Sequence, residues 1–391
     1  MSAVKADRIA TFGTSVFTEM SALAVQHQAI NLGQGFPDFA GPDFVKEAAA
    51  RAIHANQNQY APSHGTPRLR AAIAADWNTR FGGDINPDSD VTVTTGATEA
   101  LFISMLAFLN PGDEVIFFEP FYDAYVPQVV MAGGVVKVVR LHPPDWHFTL
   151  DELRAAFSSR TKMLLLNTPH NPTGKVFTRA ETEQIAALCQ EHDVLVIADE
   201  VYDRILFDSH EHIPIATLPG MWERTLTLNS TGKTFSMTGW KIGYAVGPAH
   251  LNAAIRIVHQ FNVFATATPF QDAMAEALET AGQRGYYAEL ADSYAQRRDR
   301  LRAVLADCGL PPLDCQGSYF LLSDIGDLGF ESDVDFCRSL VLNQGVAAIP
   351  PSAFYLDPAS APLQARFCFA KEFDTIDAAA ERLAGLRGQG T

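Results

Sequence analysis

Basic residues are scarce in this chain: Lys and Arg total 29 against 45 Asp and Glu, a formal net charge of -16 over 391 residues. The few cations are scattered, with no basic stripe, which speaks against nucleic acid as a partner. Cysteine is scarcer still. Cys189, Cys308, Cys315, Cys337 and Cys368 are odd in number and contain no C-x-x-C pair, and no histidine cluster stands at metal spacing. Neither a disulfide framework nor a metal centre is expected, and the cysteines read as buried, reduced thiols. No apolar run approaches the ~20 residues that span a bilayer, and no charged-then-apolar leader opens the sequence. The expectation is a cytoplasmic protein with no membrane segment.

What is present is an ordinary globular mixture, 47% hydrophobic and 19% charged, in a chain long enough for two domains. From about residue 91, short β-branched strands alternate with helical text. V-T-V-T-T, E-V-I-F-F, V-V-K-V-V-R-L, T-K-M-L-L-L-N, V-L-V-I-A-D-E, T-L-T-L-N-S and W-K-I-G-Y-A-V-G are the strand candidates. That rhythm predicts an α/β unit around a mostly parallel, buried sheet. Beyond Pro248 long helical stretches run to about residue 308, broken near F-N-V-F-A-T-A-T-P. S-Y-F-L-L-S-D, V-A-A-I-P and A-R-F-C-F-A then alternate with two further helices, as in a smaller α+β lobe. The first ~40 residues fit neither pattern and are expected against that lobe or a partner subunit.

Two phosphate-loop readings fail. G-K-T at 232–234 ends like a Walker A loop, but Thr227 stands where that loop needs glycine, inside the apolar run T-L-T-L. G-Q-G-F-P-D at 33–38 supplies only two glycines of a dinucleotide fingerprint and follows no convincing strand. Other stretches fall at strand ends, where open α/β sheets bind ligands. T-T-G-A-T-E-A turns from strand to helix through Gly96, leaving the N–H groups of Ala97 and Thr98 as an anion site. N-T-P-H-N-P-T-G offers Asn171. A-D-E-V-Y offers Asp199 and Tyr202, although Asp199 alone reads equally as a helix N-cap. Ser230 and Lys233 close one strand, and Lys241 opens the next. A lysine near an anion site, with a carboxylate and a phenol at neighbouring strand ends, is the set that pyridoxal phosphate requires.

S-T-G-K-T-F-S-M-T-G-W-K-I-G, N-P-T-G, D-E-V-Y and R-F-C-F together resemble fold-type I, class I/II aminotransferases dependent on pyridoxal phosphate. The resemblance covers nearly the whole chain, with the motifs in the family's order. N-L-G-Q-G-F-P-D-F, E-P-F-Y-D-A-Y and N-T-P-H-N-P-T-G are similar to the branch holding kynurenine aminotransferase, glutamine transaminase K and bacterial methionine aminotransferases. The resemblance implies a large domain with a mostly parallel seven-stranded sheet over residues 45–285 and a small α+β domain over 286–391. Residues 1–44 would form an arm and part of the small domain.

The resemblance also implies roles. Lys233 would bond covalently to the cofactor and carry the proton, Asp199 would pair with the pyridine nitrogen, and Asn171 and Tyr202 would hold its phenolic oxygen. Gly96, Ala97, Thr98, Ser230 and Lys241 would hold the phosphate. Tyr122 would stack on the ring. Tyr60 would reach the partner subunit's cofactor in a homodimer. Gly35, Asn171 and Arg366 would bind the substrate. Amino acids and 2-oxo acids would be the substrates, exchanged by a ping-pong mechanism. Lys241 supplies charge where many relatives have an arginine fork. Phe36, Tyr60 and Tyr122, with Phe264 and Phe354 as further candidates, are expected to favour methionine, phenylalanine, glutamine or kynurenine as donor. The opening T-E-M-S-A-L-A with Q-G-F-P-D also resembles N-succinyldiaminopimelate aminotransferases, and the shared loss of the α-proton leaves a cysteine-conjugate β-lyase activity open.

Overall fold

The computed structural model describes residues 5–10 and 12–388. Its strands are β1 (Ile30–Asn31), β2 (Val91–Thr95), β3 (Glu114–Glu119), β4 (Val135–Arg140), β5 (Thr161–Asn167), β6 (Leu195–Asp199), β7 (Thr225–Ser230), β8 (Ile242–Val246), β9 (Phe320–Asp324), β10 (Val346–Ala347) and β11 (Gln364–Cys368). Seven of them, in the order β2-β8-β7-β6-β5-β3-β4, form the central sheet. Every residue of β3 is buried, as are the first five of β7, because helices cover both faces of the sheet.

Within this parallel sheet β8 alone runs antiparallel, to β2 on one side and β7 on the other. The link from β7 to β8 is too short for the helical crossover that a parallel pair needs. The chain therefore turns back, and the entry of β8 lies level with the exits of its neighbours: Ser230 pairs with Gly243, and Thr95 with Ile242. On the other side of β7 the exits of β6 and β5 are in register, Asn167 opposite Asp199. One rim of the sheet thus collects residues far apart in sequence.

The smaller lobe contains the antiparallel pair β9–β11 and the helices Tyr286–Asp307 and Phe373–Leu383. The N-terminal segment joins it: β1 pairs with β10, and Met20, Ala24 and Leu32 enter the same core as Phe336, Phe367 and Leu383. All five cysteines are buried and none is joined in a disulfide. Among the described residues no helix is long and apolar enough to cross a membrane, and no group of His, Cys, Asp or Glu is arranged to hold a metal ion.

Candidate active site

A cavity of about 310 Å³ opens on the collecting rim, between the sheet and the smaller lobe. Gly35, Gly96, Ala97, Thr98, Tyr122 and Asn171 line it, and so do Asp199, Tyr202, Ser230, Lys233, Lys241 and Arg366. Of the residues given a role toward cofactor or substrate carboxylate, Tyr60 alone lies outside it. Tyr60 is 85% exposed and packs edge-on against Phe264, at 5.2 Å between ring centres.

The anion end is built by backbone. Helix Gly96–Phe108 begins where β2 stops, and the side chain of its N-cap residue, Thr95, makes no capping bond, so the N–H groups of its first turn have no partner within the helix. Gly96 has φ +75°, and a side chain there would meet Lys241 Cε and Nζ at 3.1 Å. A Cβ on Gly243 would lie 2.4 Å from the carbonyl carbon of Gly96. The absence of both side chains lets β8 press against the helix start and lay Lys241 over it. Ser230 Oγ on the facing strand accepts from the Gly232 N–H at 3.2 Å.

Lys233 does not end a strand. It sits on the one-turn helix Thr231–Thr234, which aims its amine into the cavity. Nζ donates to Tyr319 Oη at 2.6 Å, and that hydroxyl donates to the carbonyl of Gly35 at 2.6 Å. Burial lowers the Lys233 pKa to about 8, and the nearby Lys241 and Arg366 charges push the same way. Tyr202, stacked edge-on against Tyr319 at 5.1 Å, has its hydroxyl pushed up by burial.

The N-cap reading of Asp199 is not what the structure shows. β6 runs into a turn rather than a helix. Its Oδ2 instead accepts from Tyr125 Oη at 2.6 Å, and its Oδ1 is buried with no hydrogen-bond partner. Burial raises its pKa to about 6. A buried carboxylate oxygen without a donor costs free energy unless a ligand supplies one.

Arg366, on β11, is only 1% exposed, and its guanidinium lies 4.0 Å from the centre of the Phe320 ring. Its nitrogens donate to Asn171 Oδ1 at 2.9 Å and to the Gly33 carbonyl at 3.1 Å, leaving Nε without a partner. Burial lowers its pKa to about 10, so it stays charged at neutral pH. Tyr122 lines the cavity near Tyr125, with its hydroxyl pushed up to about 12 by burial. Of the expected aromatic wall, Phe36 and Tyr122 are present, whereas Tyr60, Phe264 and Phe354 are not among the lining residues. Phe17 and Phe320 take that place. Tyr125 and Tyr319, the partners of Asp199 and Lys233, are further residues that sequence reasoning missed.

Pyridoxal phosphate fits this donor set. The open helix turn with Lys241 and Ser230 suits a phosphate, the partnerless Asp199 oxygen suits a protonated ring nitrogen, and the buried amine of Lys233 suits a carbonyl carbon. The comparisons agree. Residues 27–383 match the family model "Aminotransferase class I and II". The chain is 45% identical to a methionine aminotransferase of Escherichia coli over 379 residues, 97% of each chain. It is also 45% identical to a probable N-succinyldiaminopimelate aminotransferase of Mycobacterium tuberculosis over 390 residues, covering 97% of this chain and 98% of that one. With the solved Escherichia coli structure for which a methionine aminotransferase function is reported, it superposes at a TM-score of 0.94. The identity is 44%, over 98% of this chain and all of that one.

The chain belongs to the class I and II aminotransferases, enzymes dependent on pyridoxal phosphate. Its fold is that of the fold-type I members, a mostly parallel seven-stranded sheet between helices with a smaller lobe. Its substrates are amino acids and 2-oxo acids.

Proposed function

We propose that this aminotransferase takes its amino group from a large amino acid with an uncharged aromatic, sulfur-containing or amide side chain, such as methionine, phenylalanine, kynurenine or glutamine. The observation that carries the reading is the content of the cavity. Its cations among the described residues are Lys233, Lys241 and Arg366, and each has a task that leaves none for a side-chain carboxylate. Arg366 binds the substrate α-carboxylate through a bidentate pair, with Asn171 and the Gly33 carbonyl fixing its plane. Phe17, Phe36, Tyr122 and Phe320 supply rings on which an aromatic group stacks or a thioether packs.

Lys233 Nζ, its neutral form favoured by burial, takes the proton from Cα of the substrate. Tyr319 Oη and the Gly35 carbonyl hold the amine in line. When bound, pyridoxal phosphate supplies an electron sink for the charge left at Cα. Asp199 would hold the ring nitrogen, Asn171 and Tyr202 the phenolic oxygen, and Gly96, Ala97, Thr98, Ser230 and Lys241 the phosphate. We place the large domain at 45–285 and the small one at 286–391 with residues 1–44, and the enzyme in the cytoplasm as a homodimer in which Tyr60 reaches the second site.

A second reading, transfer from N-succinyl-diaminopimelate, is favoured by the equal identity to the Mycobacterium tuberculosis relative. It needs a cation for the remote carboxylate. Lys371 stands behind Phe36 but donates to that residue's carbonyl at 3.0 Å and is buried, outside the cavity lining. Measuring kcat/KM side by side for methionine, kynurenine, aspartate and N-succinyl-diaminopimelate tests both. Methionine or kynurenine is expected to lead; a lead for aspartate sinks the pocket argument, and one for the succinylated donor establishes the second reading.

A further inference from the structure

Beneath the anion end of the cavity lies a buried pair that the mechanism does not use. Glu99 sits one turn into helix Gly96–Phe108, and its Oε2 reaches back to accept the Thr95 N–H at 2.5 Å. Its Oε1 faces His259 Nδ1 at 2.7 Å and accepts from Asn262 Nδ2 at 3.4 Å. The other ring nitrogen of His259, Nε2, lies 2.7 Å from the carbonyl of Ser63. The His259 side chain is fully buried and that of Glu99 is 5% exposed. Both ring nitrogens face oxygens; with Glu99 as the carboxylate both oxygens only accept, so satisfying both bonds takes a proton on each nitrogen and gives the ring a positive charge.

A carboxylate near a helix start stabilises the helix, but it competes with any anion bound at the same turn. Other charged groups lie around the pair. Arg256, on the same helix as His259, donates to Thr92 Oγ1 at 2.9 Å and to the Val91 carbonyl at 2.7 Å. His64 lies close enough to feel the charges of Arg256, Arg70, Asp88 and His259.

We infer that His259 is a positioning residue for the cofactor phosphate: its charge cancels that of Glu99, so the carboxylate can fasten the helix start without repelling the dianion above it. This rests on the reading that the Gly96–Thr98 turn takes the phosphate. His259→Asn removes the compensating charge and leaves the carboxylate. Dialysis of the holoenzyme against falling pyridoxal phosphate should show binding weakened by roughly ten- to a hundredfold, the scale of one uncompensated charge several ångströms away at an effective dielectric of ~20. Binding of pyridoxal, which lacks the phosphate, should not change.

Adding Glu99→Gln to His259→Asn should restore phosphate-dependent binding. Equal loss for both ligands, or a double variant as weak as His259→Asn, overturns the inference, since either marks a purely structural contact. Should His259→Asn fail to fold, Glu99→Gln alone decides. It removes the carboxylate's repulsion and should leave pyridoxal phosphate bound at least as tightly as in the parent, and weakening overturns the proposal. Lys241→Met separates this from the site reading itself. If it leaves pyridoxal phosphate binding intact, the phosphate is not at this end at all.

Discussion

Asp199 and Asp203 are four residues apart, and both are almost wholly buried, yet burial has opposite outcomes for them. For Asp199 burial dominates and lifts the pKa to about 6. For Asp203 burial pushes upward too, but Arg80 and Arg204 more than offset it, and the carboxyl ends below its usual value. Arg80 reaches Asp203 Oδ2 at 2.5 Å, and Asp76 joins both arginines. The void beside this network is about 10 Å³, room for one water at most. Asp203 is a closed ion cluster, whereas Asp199 is an open one with an oxygen left over. A buried charge marks a reactive site only where its compensation is missing.

The widest separation between the two regions should come from Lys233→Ala, which is expected to lower transamination by at least about 10²–10⁴-fold without unfolding the protein. Turnover near the parent rate, or borohydride fixing the cofactor on another lysine, would remove Lys233 from the mechanism. Asp199→Asn should follow, with activity and stability moving apart. Activity falls because the ring nitrogen loses its counter-charge. Stability of the cofactor-free protein at pH 7 rises, by up to roughly 3 kcal/mol for a two-unit shift.

The sign follows from linkage. A carboxyl with a raised folded pKa stabilises the fold at pH values below its unfolded value near 4, and that contribution is lost as pH rises through about 6. The gain in Asp199→Asn should therefore vanish by about pH 4, as denaturant titrations at several pH values will show.

Asp203→Asn is expected to do the reverse: a loss of about 3–5 kcal/mol from leaving Arg80 and Arg204 with Asp76 as their shared carboxylate, with kcat per folded molecule little changed. If its stability cost were negligible, the contrast between the two aspartates would fail. The smallest effect belongs to Tyr60→Phe. Its hydroxyl lies outside the cavity of its own chain, so the change should weaken cofactor retention only several-fold, on the scale of one hydrogen bond, and only where sedimentation finds dimers.

Much of this was legible in the sequence, for a definite reason. Short β-branched runs alternating with helices imply a parallel sheet, and parallel sheets gather ligands at their carboxyl rim. Gly96, Asn171, Asp199 and Ser230 were therefore expected on one rim, because each stands at the end of a candidate strand. The direction of β8 was not read, although the short link after Ser230 carried that signal. The turn after Asp199 escaped because a strand ending in Asp looks the same before a turn as before a helix. Tyr319, which accepts from Lys233, comes from the smaller lobe, and Phe17, which lines the cavity, from the helix Val16–Gln26. No spacing rule connects such distant segments, and only packing between the two cores brings them in.

The reversal at β8 also bears on which lengths of chain the enzyme tolerates. Surface connections ordinarily accept extra residues at little thermodynamic cost. The link between Ser230 and Ile242 is a ruler instead, because it sets both the register of β8 against β7 and the height of Lys241 above Gly96. One added residue that slipped this register would turn every side chain of β8 to the opposite face. It would carry the cation away from the helix start while leaving the composition of the site intact. A library of length variants should find this short stretch rigidly fixed in residue count, yet open to changes of identity at positions such as Gly239, where a side chain would meet nothing within 4 Å.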